Sequence, residues 1–275
     1  GADSRQIYRH MDIGTAKPTP EERTAAPHHL IDVVEPDDVL SMAQYQMLAY
    51  AAIDDIHRRG KIALLVGGTG QYITAVLEGW SAPEVPPNPA RRAELEAYAA
   101  EWGAEALFER LRALDPVSAE RMDPFNLRRT VRALEVCLET GQPFSAQRRR
   151  SPPDYQTLEI GLTMDRGLLY ARLDARIEGM MAAGLLDEVQ ALHTAGYAWT
   201  LPSMSGLGYA QLGSYLRGEV TLDEAVTAIK RATRSFVRRQ YTWFRKHGAI
   251  AWLEVGSDEG APILSQQIGK WLTGI

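Results

Sequence analysis

Several short runs of this chain combine residue types and spacings that can do chemistry. Gly67-Gly68-Thr69-Gly70 lets the backbone approach a ligand closely, and the N–H groups of a following helix can receive an anion. Thr69 adds a hydroxyl able to donate to a phosphoryl oxygen. A tight turn without a ligand explains the same four residues equally well. Asp3 beside Ser4 places a carboxylate next to a hydroxyl. Such a carboxylate can accept a hydrogen bond from an amine and later its proton, although a surface aspartate is the plainer reading. His28-His29 invites a metal, but neighbouring side chains on a strand point to opposite faces. No third ligand is evident.

Arginine supplies the strongest pattern. From Val226 to Leu253 there is no Asp or Glu, while Lys230, Arg231, Arg234, Arg238, Arg239, Arg245 and Lys246 are basic. On a helix over 225–246, Arg231, Arg234, Arg238, Tyr241 and Arg245 share one narrow sector. Ile229, Ala232, Phe236, Gln240 and Trp243 fall nearly opposite. One face is expected to pack and the other to present guanidinium groups, whose planar fork matches phosphate. Arg128, Arg129 and Arg132 form a second basic group, with Glu135 and Glu139 nearby. Arg172 and Arg176 are four residues apart and share a helix face, so they can neutralise a diphosphate. Spacing alone favours their pairing with Asp174, Glu178 or Asp187.

The elements that must position these groups follow from periodicity and punctuation. His28–Val34 reads as a short strand. Ser41 caps a helix through Met42–Arg58, which Gly60 stops. Ile62-Ala63-Leu64-Leu65-Val66 is a continuous apolar run of strand length, expected to be a buried parallel strand. It feeds the glycine-rich turn and a helix from Gln71 to Glu78, the α/β order in which sites lie at the carboxyl ends of strands. Pro83, Pro86, Pro87 and Pro89 mark a break. Helices are expected near 89–102, 104–113, from Asp123-Pro124 to Gly141, and from Arg166 to Ala182. A basic loop covers 148–153, and a strand covers 158–162. The map is an α/β core (1–83 and 126–275) carrying a helical insertion (84–125), with a helix-rich C-terminal part.

Composition narrows the class. The chain has 275 residues, 45% hydrophobic and 24% charged, ordinary for a soluble domain. No apolar run has membrane-spanning length, and no leader pattern opens the sequence. The lone Cys137 excludes an intrachain disulfide and a cysteine zinc cluster. Cytoplasm is the expected location. The net charge of −5 argues against a nucleic-acid partner only as a sum, because salt screens charges beyond about 8–10 Å and a local basic surface still attracts phosphate. No lysine stands in G-x-x-x-x-G-K-[ST], so the usual phosphate loop is missing from this stretch.

Taken in order, these segments resemble the tRNA dimethylallyltransferase (tRNA isopentenyltransferase) family. The matching strings are Asp3-Ser4-Arg5-Gln6-Ile7-Tyr8, Met11-Asp12-Ile13-Gly14-Thr15-Ala16-Lys17-Pro18 and His28-His29-Leu30-Ile31-Asp32. They continue with Val66-Gly67-Gly68-Thr69-Gly70-Gln71-Tyr72, Arg132-Ala133-Leu134-Glu135-Val136, Gly206-Leu207-Gly208-Tyr209 and Arg239-Gln240-Tyr241-Thr242-Trp243-Phe244-Arg245. They run almost end to end, and the second and last are the most specific. The resemblance implies a P-loop-kinase-like parallel-sheet core with a helical insertion domain. It also implies a P-loop upstream of Gly1, Mg2+ as cofactor, and no metal ligand identifiable in this segment. Dimethylallyl diphosphate and the anticodon stem-loop of tRNA are the implied substrates, and the expected protein is a monomer off the membrane.

By the same resemblance Asp3 and Thr69 are catalytic, and Thr69, Gly68, Arg176 and Arg172 hold the diphosphate. The implied tRNA contacts begin with Asp3, Ser4, Arg5 and Gln6, then Arg92 in the insertion and Arg128, Arg129 and Arg132. Ser205, Gly206, Leu207, Gly208 and Tyr209 follow, and then Arg238, Arg239, Gln240, Tyr241, Trp243 and Arg245. Ala210 stands where the family often has a basic residue, which removes one expected contact. The competing readings are an enzyme that prenylates free adenine nucleotides and a non-catalytic RNA-binding protein. The first needs neither the basic helix nor the insertion.

Overall fold

The computed structural model describes residues 1–81, 83, 85–147, 149–256 and 260–274. Arg148 of the expected basic loop lies outside them. In chain order the elements are helices α1 (Pro20–Ala25), α2 (Met42–Arg58), α3 (Gly70–Glu78), α4 (Pro89–Trp102), α5 (Ala104–Leu114), α6 (Pro116–Ala119), α7 (Leu127–Thr140) and α8 (Phe144–Gln147). Strand β1 (Ile160–Thr163) follows, then α9 (Arg166–Ala182), α10 (Leu185–Thr194), a 3-10 turn at Ser203–Ser205, α11 (Tyr209–Leu216), α12 (Leu222–Phe244), β2 (Ala251–Glu254) and α13 (Gly260–Thr273). The result is a mixed α/β chain. Strands β1 and β2 pair in parallel from Ile160↔Ala251 to Thr163↔Glu254.

Local chemistry sets the helix ends. Ser41 and Thr221 accept from the third residue of α2 and α12, and Gln44 and Glu224 reach back to complete capping boxes. Asp165 accepts from Gly167 N and Leu168 N to start α9. Helix α7 begins at Leu127, later than the expected Asp123-Pro124, because the Asn126 side chain takes Arg129 N–H and fixes the start there.

The expected strand over 62–66 is corrected. The segment forms no strand ladder, and Ile62, Leu64 and Val66 are 52%, 73% and 69% exposed. Ala63 and Leu65 are more covered than these three. An unbroken apolar run reads as covered on both faces, whereas here burial alternates and one face is open. The expected strand at His28–Val34 is reduced to an isolated parallel bridge, Tyr8↔Val34.

The chain divides into two compact units, Gly1–Ile73 with Asp154–Ile275, and Thr74–Pro153. The first is built on a core of Ile7, Met11, Leu185, Met204, Tyr209 and Leu212 with Ile229 of α12. The second closes over Leu95, Leu107, Leu111, Val131 and Leu134. Within the second unit Glu135 is fully buried and accepts from Arg92 Nε and one of its NH2 groups, both at 2.9 Å, from Arg132 at 2.5 Å and from Asn88 N at 2.7 Å. Burial pushes its carboxyl up, but the donors from Arg92, Asn88 and Arg132 outweigh that and hold it below its ordinary value.

Candidate functional site

The opening segment of the chain is held by pieces distant in sequence. Gly1 N donates to His29 O at 2.8 Å, and Ala2 N to Val66 O at 2.7 Å. Thr69 N returns a bond to Ala2 O at 3.1 Å. A side chain on Gly67 would place its Cβ 2.2 Å from Ala2 O, so only glycine allows this approach. The consequence is that Thr69 lies beside Asp3-Ser4. Its Oγ1 accepts from Ser4 N at 2.9 Å and donates to Ser4 Oγ at 3.2 Å.

Asp3 is half-buried, and its Oδ1 accepts from Arg5 N at 2.8 Å, which fixes the carboxylate against its own turn. Tyr45 and Tyr72 stack with ring centroids 3.7 Å apart, and Tyr45 donates to Gly1 O at 3.0 Å. Burial pushes the Tyr72 phenol up to about 12, with Tyr8 and Asp3 adding to the shift and Arg5 opposing it. Burial likewise raises Tyr45, with help from Tyr72 and Asp3. Both phenols therefore stay neutral at physiological pH, and the pair serves as a rigid support near Asp3.

Helix α12 reaches the same loop. Gln240 Nε2 donates to Gly68 O at 3.0 Å. The Trp243 indole lies where a Cβ on Gly70 would be, 2.3 Å from its Cδ1. Tyr241 shares a 2.8 Å hydrogen bond with Thr163 Oγ1 at the end of β1 and stacks on Trp252 of β2. Arg5 donates to Pro202 O at 2.6 Å and to Ser205 Oγ at 3.3 Å, which brings Ser205–Ala210 beside Asp3–Gln6.

The remaining expected residues divide into several sets. Arg231, Arg238, Arg239 and Arg245 are exposed on α12. Arg234 is not, since it pairs with Asp174, and Lys230 pairs with Glu178 at 2.7 Å. Those pairings take Asp174 and Glu178 out of the reading in which Arg172 and Arg176 pair with Asp174, Glu178 or Asp187. With Asp174 and Glu178 held by α12, both arginines are exposed and form no ion pair among the described residues. Phe236 and Trp243, placed by periodicity on the packed face, are 38% and 37% exposed. Gly206, Gly208 and Tyr209 are buried, and Leu207 is half-buried. Tyr209 donates to Glu188 Oε1 at 2.6 Å, so its side chain is part of the scaffold. In the second unit Arg128 and Arg129 are exposed, whereas Arg92 and Arg132 are committed to Glu135.

Two supporting groups went unread in the sequence. Glu188 accepts from Asp12 N, Ile13 N and Gly14 N at 2.8, 2.7 and 3.1 Å, as well as from Tyr209. Lys17 has a side chain only 2% exposed and donates to Tyr8 O at 2.6 Å, Asp12 Oδ1 at 2.7 Å and Asp32 Oδ1 at 2.5 Å. Lys17 carried a signal, because it lies in the specific Met11–Pro18 string. Glu188 carried none.

Among the described residues no group of three His, Cys, Asp or Glu side chains could hold a metal ion. No helix among them is long and apolar enough to cross a membrane.

The IPP transferase family model matches residues 6–247. The chain belongs to that family. A tRNA dimethylallyltransferase of Roseiflexus castenholzii is 59% identical over 245 residues, covering 89% of this chain and 80% of the relative. One from another Roseiflexus species is 58% identical over 270 residues, 98% of this chain and 88% of the relative. The crystal structure of a full-length tRNA isopentenylpyrophosphate transferase from Bacillus halodurans superposes with a TM-score of 0.72 at 38% identity, over 99% of this chain and 87% of that one. Ser4, next to Asp3, thus touches Thr69 on the glycine loop that Gln240 and Trp243 of α12 also approach.

Proposed function

We propose that the protein is a tRNA dimethylallyltransferase. It moves the dimethylallyl group of dimethylallyl diphosphate to N6 of the adenine next to the anticodon, adenosine 37. The observation that carries this reading is the contact of Thr69 with Ser4, which brings the hydroxyl of the glycine-rich loop against the residue next to Asp3.

The N6 lone pair is delocalised into the purine ring, so the amine is a weak nucleophile. Asp3 accepts a hydrogen bond from N6–H, orients the amine, and takes its proton as the N6–C1 bond forms. The C1–O bond breaks and the diphosphate leaves with the electron pair. Thr69 Oγ1, with Arg176 and Arg172 freed from the acids of α9, supports the charge that grows on the leaving group. Mg2+ would supply further charge neutralisation on the diphosphate. That ion typically keeps its waters and takes one or two protein oxygens beside substrate phosphates; Asp3 is engaged by Arg5 N and needed as the base, and no metal ligand is assigned in this stretch. The adenine must leave its stack, at a cost of a few kcal/mol that a loop nucleotide partly avoids. The exposed arginines of α12 and Arg128 and Arg129 hold RNA phosphates.

The test is to incubate the protein with unmodified tRNA and dimethylallyl diphosphate and to analyse the nucleosides by mass. Appearance of isopentenyladenosine at the position beside the anticodon supports the reading. Prenylation of free adenine nucleotides in preference to tRNA would replace it with the nucleotide-directed alternative.

A further inference from the structure

Helices α9 and α12 lie side by side, joined by Asp174–Arg234 and Glu178–Lys230. One turn before Asp174, guanidinium groups gather on a neutral phenol. Arg166 Nε donates to the Tyr170 hydroxyl at 3.1 Å, with its Cζ 5.3 Å from the ring centroid. Arg234 stands over the same ring at 5.2 Å. Arg238 lies one turn beyond Arg234 on α12, near enough to act electrostatically on Tyr170, and one of its NH2 groups reaches Ser235 Oγ at 2.7 Å. Among the described residues, Arg234 is the one of these three arginines that pairs with a carboxylate. The nearby Asp165 is occupied at the start of α9 by Gly167 N and Leu168 N.

Arg166, bonded to a neutral phenol, and Arg238 close by, both without an ion-pair partner among the described residues, form a site that can take an anion. The phenol is held below its ordinary value, first by the Arg166 donor and then by Arg238, with burial opposing. The forked N–H groups that do not reach Tyr170 remain available to bind a phosphoryl oxygen in pairs. Arg166 and Arg238 are exposed, so the site is open. Arg231, Arg238 and Arg245 are spaced by seven residues, about 10 Å apart along the helix, and all three are exposed. The cluster therefore lies beside a basic track. Arg172 and Arg176 project from the side of α9 away from Tyr170, at about 200° and 240° around the helix, and are not part of it.

We infer that Arg166 and Tyr170 of α9, together with Arg238 of α12, bind a backbone phosphodiester of the RNA substrate and so extend the RNA surface from α12 onto α9. This rests on the RNA-acting reading above.

The experiment measures binding of a fluorescent anticodon stem-loop RNA across a KCl series, with circular-dichroism melting to confirm folding. Arg166→Gln is expected to weaken binding about threefold to tenfold and to lower the slope of log K against log[salt] by about one unit. Arg166→Lys keeps the charge and is expected to restore the slope while recovering only part of the affinity. Tyr170→Phe keeps the ring, and is expected to lower affinity slightly without changing the slope. An unchanged slope in Arg166→Gln, while Arg245→Gln lowers it, would overturn this site and leave the RNA reading standing. Unchanged slopes in both would remove the RNA reading of α12 along with the site. Should Arg166→Gln instead weaken inhibition by inorganic diphosphate with no change in slope, the anion is the leaving group and the inference fails.

Discussion

Replacing Gly67 by alanine tests whether the chain's opening segment is placed by backbone contact. The added Cβ would sit 2.2 Å from Ala2 O and 2.3 Å from Ala2 C, and these are backbone atoms that cannot swing away like a side chain. Relief requires Ala2 to retreat by about 1 Å, which stretches the 3.1 Å bond from Thr69 N and pulls on Asp3 and Ser4. Overpacking of this kind costs about 1–3 kcal/mol, and a displacement of about 1 Å at a reacting group lowers the rate about 100-fold. The assay is single-turnover prenyl transfer with donor and tRNA saturating, beside thermal melting and RNA affinity. Gly60→Ala is the control. That residue has φ +65° with nothing within 4 Å, so the substitution costs about 1–2 kcal/mol through backbone strain with turnover intact. A folded Gly67→Ala protein turning over within threefold of wild type would show that the Ala2–Gly67 approach does not set the reacting geometry.

Asp3→Asn is expected to lower turnover by about 10²–10⁴-fold with RNA affinity nearly unchanged, read by single-turnover kinetics and anisotropy; equal losses in both would make Asp3 a binding group only. Lys17→Met removes the buried ammonium that Tyr8 O, Asp12 and Asp32 share and is expected to destabilise the protein by about 1–3 kcal/mol, measured by urea unfolding. Asp32, whose carboxyl is raised by burial but brought below its ordinary value by Lys17 and Arg23, gives that cluster an acid dependence. Its folded-state pKa is depressed, so its contribution is present above the ordinary carboxylate range and is lost as pH falls through the lower folded value. Wild type should therefore lose stability across that acid window more steeply than Asp32→Asn, as followed by urea midpoints at successive pH values. Glu135→Gln removes the charge that Arg92 and Arg132 share and is expected to cost about 1–3 kcal/mol, seen as a lower urea midpoint.

Much of the scaffold was legible because short-range chemistry determined it. The Ser41 cap and Arg59-Gly60 stop bound α2, and the span of α9 follows from Asp165 and the glycine after Ala183. The strand at 158–162 was found as β1, shifted by a residue or two. Failure came where the deciding partner is far away in sequence. Spacing on α9 offered Asp174 and Glu178 to Arg172 and Arg176. Arg234 and Lys230, 60 and 52 residues away, hold them instead. The run 62–66 misled because apolar identity records what could be buried and carries no information on which face a neighbour covers. Glu188 was invisible for a related reason. Its partners are three consecutive backbone N–H groups at Asp12–Gly14 and a tyrosine hydroxyl, and a backbone donor leaves no mark in sequence.

The opening segment gathers more long-range ties than any one motif suggested. His29, Val66, Thr69 and Pro202 meet its first five residues, and Lys17 grips Tyr8 O. Most of these are backbone bonds or contacts to backbone, so the Asp3 carboxylate is placed by the fold more than by its own side-chain packing. The RNA-facing groups differ, because Arg231, Arg238 and Arg245 project from α12 as exposed side chains. Helix α12 joins the two through Gln240, whose amide holds Gly68 O from the same helix that carries the basic track. Substitutions at the arginines should then act on affinity and salt dependence, and substitutions around Gly67 on turnover. Gln240→Ala is the position where both should change together, because it removes a side-chain hydrogen bond that ties the basic helix to the glycine loop.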